Sequence, residues 1–181
     1  MKMQDREFVL YAIKFGSLFA FFYFGTYLFI GITAEGGYYI PFLAKYFNYV
    51  DWLRALLLNG TKILLQLFGY TATLTDKYHL QINHANKVQL IYSCLGYGVI
   101  SFWLAFVLTH QLSSIKKISW ILLGFFLIVF SNMIRIAMIL IANYKQWKLP
   151  FNIEHHFLYN VIAYTIVIVL AILFLKQKER I

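Results

Sequence analysis

The sequence has one cysteine, Cys94, which excludes an internal disulfide and any metal site built on a cysteine cluster. It is also short of charge. Only 13% of its residues are Asp, Glu, Lys or Arg, where a soluble domain carries about 25%. Hydrophobic residues make up 61% and aromatics 20%, and several apolar runs approach the roughly 20 residues that span a bilayer. A soluble globular domain is thereby excluded, and a multi-pass helical membrane protein is expected. Acidic residues are scarcest, seven against sixteen basic, for a net charge of +9. In a soluble chain that excess would suggest nucleic acid. Here the basic residues flank apolar runs, so membrane lipids with anionic headgroups are the expected partner and nucleic acid is not. A cleavable leader is not expected either, because the first apolar run is long and lacks a small-residue cleavage site.

What is present reads as one all-α transmembrane domain over residues 1–181, with about four spans. The first span covers Phe8 to Ile32; Lys14 can snorkel from it, and its aromatics read as lipid-facing surface. Residues 38–70 mix Pro41, Lys45, Asp51, Arg54 and Lys62 with Leu, Phe and Tyr, which fits one or two amphipathic or re-entrant helices at the interface better than the alternative, a crossing that starts near Trp52. Residues 71–92 change period. Tyr78, Leu80 and Ile82 alternate with His79, Gln81 and Asn83, and Val88, Leu90 and Tyr92 with Lys87 and Gln89, around Asn83-His84-Ala85-Asn86. That alternation predicts a β-hairpin outside the hydrocarbon. Further spans follow at 93–112, 118–143 and 155–175. Basic residues at Lys2, Arg6, Lys116, Lys117, Lys176, Lys178 and Arg180 assign those ends to the cytoplasm. The hairpin then falls on the outer side.

With this topology three ionisable sites reach one depth. Cys94 opens the second span and the pair His155-His156 opens the last, both at the outer surface. Arg135 lies eight residues before Asn143, about 12 Å along a helix, in the outer half of its span. Cys94, Gly98, Ser101 and Ala105 form a small-residue stripe that lets another helix approach. Asn132, Arg135 and Asn143 share a face with Ser131 beside them, and His156, Asn160 and Tyr164 recur every four residues. A cysteine at a helix N-terminus near a cation favours the thiolate, a nucleophile toward peptide carbonyls. Arginine is a permanent donor for an oxyanion. Histidine can protonate a leaving amine and then activate the group that resolves the thioester.

Cys94-Leu-Gly96 after a hairpin, Asn132-Met-Ile-Arg135-Ile136, and His156 opening the last helix resemble, in that order, the exosortase/archaeosortase family of membrane cysteine transpeptidases. The short X-type exosortases carry a similar paired-histidine block. Two positions differ from the family's usual pattern: Leu95 stands where Ser often follows the cysteine, and Asn160 where Gly commonly stands four residues after the histidine. The resemblance implies Cys94 as nucleophile, Arg135 as transition-state stabiliser and His156 as acid/base. Ser93, Asn132, His155, Asn160 and Tyr164 are the supporting or alternative residues. It implies no metal and no cofactor. The implied partners are exported proteins with a C-terminal sorting signal (a motif, a transmembrane helix and a basic tail), cleaved at the outer face of a prokaryotic cytoplasmic membrane, with a lipid or glycan as acceptor. The competing reading is a non-catalytic multi-pass protein, a small transporter or lipid-handling subunit, with Arg135 as an anion site.

Overall fold

A computed structural model describes residues 3–34, 36, 38–83, 87–147 and 155–178, with side chains at all of these except 3–5, 155–160, 163, 177 and 178. Its elements in chain order are α1 (Met3–Thr33), α2 (Pro41–Tyr46), α3 (Tyr49–Leu67), β1 (Ala72–Leu74), β2 (His79–Ile82), β3 (Lys87–Gln89), a 3₁₀ turn at Tyr92–Cys94, α4 (Tyr97–Thr109), α5 (Ser114–Tyr144) and α6 (His155–Lys178). The chain packs as two compact units, one of residues 1–50 with 97–125 and the other of residues 51–96 with 126–181.

In the first unit α1 packs against α4. Tyr11, Phe15, Phe19 and Tyr23 recur every four residues and so share one face of α1. Tyr11 meets His110 at 5.3 Å between ring centroids, Phe15 meets Phe102 at 5.4 Å and Tyr23 meets Tyr97 at 5.4 Å, an antiparallel order. These aromatics are therefore packing residues, which corrects the expectation that the aromatic run is wholly lipid-facing. Spacing decided it: Tyr11, Phe15 and Tyr23 fall on the face of α1 turned to the other helix. Gly98 admits Tyr23, since a Cβ there would lie 3.3 Å from the Tyr23 ring. Phe21, Phe24, Tyr27 and Leu28 remain exposed on the rest of α1, a surface suited to lipid and not to water. Trp103 is buried on α4, donates its indole N–H to the Trp120 carbonyl at 3.0 Å, and lies over Gly124 of α5.

Among the described residues, two helices are long and apolar enough to cross a bilayer, Arg6–Thr33 with 28 residues and Ser114–Tyr144 with 31. The expected second span, 93–112, is shorter than its apolar run: α4 has 13 residues, about 20 Å at 1.5 Å per residue, against about 30 Å of hydrocarbon. The left-handed Gly96 (φ 77°) stops the helix from starting earlier. α6 has 24 residues, of which Tyr164–Lys176 is the described apolar part.

In the second unit the expected amphipathic segment is realised as α3. Arg54, Leu57, Leu58, Thr61 and Leu65 are buried along one face, the spacing of a stripe directed at a core. Thr61 donates to the Met133 carbonyl of α5 at 3.4 Å, and Met133 also lies over Gly60. The alternating segment is a three-stranded antiparallel sheet and not a two-stranded hairpin, in the order β1-β2-β3. The extra strand pairs Ala72 with Ile82, Thr73 with Gln81 and Leu74 with Leu80. On the other edge His79 pairs with Gln89, Leu80 with Val88 and Gln81 with Lys87. Leu80 and Ile82 face inward, as their alternation demands. β1 is too short to alternate visibly, which hid it. Of the predicted turn, Asn83 is left-handed (φ 47°) and accepts from Thr71 N–H at 2.9 Å; residues 84–86 lie outside the described residues.

The β1–β2 connection is closed by Asp76. Its Oδ1 accepts from the Tyr78 and His79 amides at 2.7 and 3.0 Å, and its Oδ2 meets His79 Nδ1 at 2.8 Å. The Tyr78 amide and then the His79 ring hold the Asp76 carboxyl below its ordinary pKa. A carboxylate with a depressed folded-state pKa stabilises above its unfolded pKa, and that contribution is lost as pH falls through the folded value. Protection of the Tyr78 and His79 amides, taken against the intrinsic exchange rate at each pH, should therefore fall below about pH 4. In Asp76→Ala both amides should exchange fast at neutral pH, with no further acid step.

Gly124→Ala and Gly60→Ala should behave differently. At Gly124 a methyl group would enter the rigid, buried Trp103 indole, and overpacking of this kind costs about 1–3 kcal/mol. At Gly60 the obstacle is the flexible end of Met133, which can swing aside. Thermal unfolding in detergent should show a clear loss for the first and little for the second.

Candidate active site

β3 delivers the chain to Leu90, which is buried, and Ile91, which is exposed. The Cys94 amide then donates to the Ile91 carbonyl at 3.0 Å, and the Leu95 amide to that of Tyr92 at 3.1 Å, winding Tyr92–Cys94 into a 3₁₀ turn. Leu95 is buried under the turn and Cys94 is half-buried. Cys94 thus lies three residues ahead of α4, with its own amide committed locally. This corrects its expected place in the first turn of a span. Gly96 separates the two because its left-handed backbone is open to glycine at little cost.

A hydrogen bond ties the turn to α5. Asn132, 8% exposed, donates Nδ2–H to the Cys94 carbonyl at 2.9 Å. A Cβ at Gly96 would lie 3.4 Å from the same Nδ2, an ordinary contact, so what the position takes from glycine is its backbone angle. Arg135 stands three residues after Asn132, one helical turn along the same face. It is half-buried, with its Nε closed to solvent. Two of the three expected blocks, Cys94-Leu-Gly96 and Asn132 to Ile136, are therefore in contact. Ser93 is exposed, Ser131 half-buried and Asn143 exposed.

The side chains of His155, His156 and Asn160 lie outside the described residues. The α6 backbone that carries them is described from His155 onward. Positions 156 and 160 are eleven and seven residues before the buried Val167, close to whole turns at 3.6 residues each, whereas position 155 is a third of a turn away. Tyr164 is 57% exposed. It falls about 60° from that stripe at 100° per residue, so spacing by four had drifted off the face.

Sequence reasoning placed Arg54 among the polar residues of an interfacial helix. In the structure its side chain is 2% exposed. The guanidinium lies over two aromatic rings, 4.6 Å from the centroid of Tyr78 and 4.6 Å from that of Tyr92, and Nη1 pairs with the Asp51 carboxylate. Nε and Nη2, the lateral fork, are enclosed and meet no acceptor among the described residues. Tyr92 opens the turn that ends at Cys94, and Tyr78 adjoins β2. The signal was available: Arg54 occupies the apolar stripe of α3, in register with Leu57, Leu58, Thr61 and Leu65.

A protein-family model described as transmembrane exosortase (Exosortase_EpsH) matches residues 36–175, more than half the chain. The chain belongs to the transmembrane exosortase family. With its apolar helices, this makes it a membrane protein. No curated protein and no solved structure matches it.

Asn132→Asp keeps the side-chain shape but removes the donor to the Cys94 carbonyl. A buried acceptor left without its partner costs about 1–3 kcal/mol. The variant should unfold at lower temperature in detergent, and its Cys94 should react faster with maleimide as the turn loosens.

Proposed function

We propose that the protein is a membrane-embedded cysteine transpeptidase or sorting protease with Cys94 as nucleophile, Arg135 as oxyanion donor and His156 as acid/base. The observation that carries this reading is the Asn132–Cys94 hydrogen bond. It sets the one thiol of the chain beside a helix face that bears a permanently charged, partly buried guanidinium one turn further on.

The thiolate of Cys94 attacks the scissile carbonyl carbon, forming a C–S bond and a tetrahedral oxyanion. Arg135 supplies N–H donors to that oxygen, a fixed charge that needs no proton inventory. Collapse breaks the C–N bond, and the departing amine takes a proton from His156, leaving a thioester. An acceptor then loses a proton to His156, attacks the thioester carbonyl and expels the Cys94 thiolate. Helical register favours His156 over His155, because position 156 shares the stripe of the buried Val167. Asn160 lies on that stripe too and is a candidate to orient the imidazole.

The substrates are exported proteins ending in a recognition motif, a transmembrane helix and a basic tail. Cleavage occurs at the outer face of the cytoplasmic membrane, where the β-sheet borders the nucleophile in sequence. The acceptor is a lipid or a glycan, and no metal or cofactor takes part.

Cys94→Ser and Cys94→Ala should accumulate normally yet leave a co-expressed tailed substrate unprocessed. Arg135→Lys keeps the charge and loses the planar fork, so processing should fall by about 10²–10³-fold. The measurement is the ratio of cleaved to full-length substrate in membranes. Normal processing by both cysteine variants would sink the proposal.

A further inference from the structure

We propose that Arg54 is a positioning residue for the reaction, acting on Cys94 through the ring of Tyr92. The inference rests on the transpeptidase reading, and it adds a group from α3 that the Cys94, Arg135 and His156 set does not contain. The guanidinium lies 4.6 Å from the centroids of both Tyr78 and Tyr92, and the pair with Asp51 fixes its third side. Tyr92 is the first residue of the 3₁₀ turn whose last residue is Cys94. A three-residue turn holds its shape only through what grips it. One grip is Asn132 on the Cys94 carbonyl; the other is Arg54 on the Tyr92 ring. The Leu90 amide donates to the Tyr78 carbonyl at 2.8 Å, so the second ring belongs to the same sheet end, and α3, the sheet and the turn meet at one cation.

The lateral fork supports a functional reading. Nε and Nη2 are enclosed without an acceptor among the described residues, an arrangement that a purely structural core position does not favour. Apolar residues of similar volume commonly serve such a position as well or better. Groups that break the rule of polar satisfaction concentrate at functional sites. The planar cation stacks on rings in a way that lysine does not reproduce.

The test uses the full-length protein in membranes with a tailed substrate. Arg54→Gln and Tyr92→Leu should each lower kcat by about a hundredfold, the scale of a misplaced reacting group, with KM unchanged. Tyr92→Phe keeps the ring and should process normally. Combining Arg54→Gln with Tyr92→Leu should be no worse than either alone, because both release the same grip. Maleimide labelling of Cys94 should accelerate severalfold in Arg54→Gln and Tyr92→Leu, and this reads the turn without requiring catalysis. Full activity in accumulated Arg54→Gln overturns the proposal, as do additive losses in the double variant or an equal loss in Tyr92→Phe. If Arg54→Gln does not accumulate, Tyr92→Leu against Tyr92→Phe decides by the same criteria. Cys94→Ser separates the two levels: its full activity would remove the transpeptidase reading, whereas its inactivity beside unaffected Arg54 and Tyr92 variants would remove only the positioning role.

Discussion

The hydrogen bond from Asn132 to the Cys94 carbonyl is the contact on which the rest of the site depends. A single 3₁₀ turn between a strand and a helix has no cooperative stability of its own, since helical order is gained only beyond the nucleus. Left to local forces, Tyr92–Cys94 would have no fixed place. The bond ends on a backbone atom, so it constrains where the turn sits while leaving the thiol uncommitted. Asn132 is itself buried, and in surroundings of low dielectric the bond is strengthened and its loss correspondingly costly. Gly96 is the counterpart: its left-handed backbone (φ 77°) is one that a residue with a side chain rarely adopts. One side chain, one carbonyl and one glycine together fix the Cys94 turn relative to the face of α5 that carries Arg135.

Arg54 extends the same logic at higher energy. Enclosing a guanidinium carries an effective penalty of several kcal/mol. The Asp51 carboxylate offsets part of it, and each desolvated cation–π contact contributes about 2 kcal/mol. The compensation is anisotropic. Two aromatic rings and the Asp51 carboxylate at Nη1 engage the cation, while the lateral fork is not satisfied by the described residues. Stability alone would select a different residue on the buried stripe of α3. What the arrangement does supply is a common anchor, because one cation lies 4.6 Å from the centroids of both Tyr78 and Tyr92.

Much of this was legible in the residues, and what was missed follows a pattern. Alternation from Tyr78 to Ile82 gives β2 because one face of the sheet is buried and the period of two is unforgiving. β1 offers three residues, Ala72, Thr73 and Leu74, too few to carry a period. Topology led to the expectation of Cys94 and Arg135 at one depth, and the structure joins the two blocks that carry them through Asn132 and the Cys94 carbonyl. The start of α4 was misread because an apolar run does not disclose that Gly96 adopts a left-handed backbone. Arg54 entered the reading of the sequence only as one of the polar residues of an amphipathic segment, with no place assigned to it. On an amphipathic helix the register of a charge says more than its presence, and Arg54 stands among leucines.

The division of the chain by chemistry follows from the same reasoning. Cys94, Asn132, Arg135 and Arg54 all belong to the unit formed by residues 51–96 and 126–181. The family match runs over residues 36–175 and leaves α1 outside it. α1 meets α4 through rings spaced four apart and leaves the rest of its apolar surface exposed. Any helix with that spacing and a lipid-compatible exterior satisfies those demands, so many sequences serve equally well. The second unit is constrained at single positions: a glycine by its φ, an asparagine by its donor, an arginine by its plane.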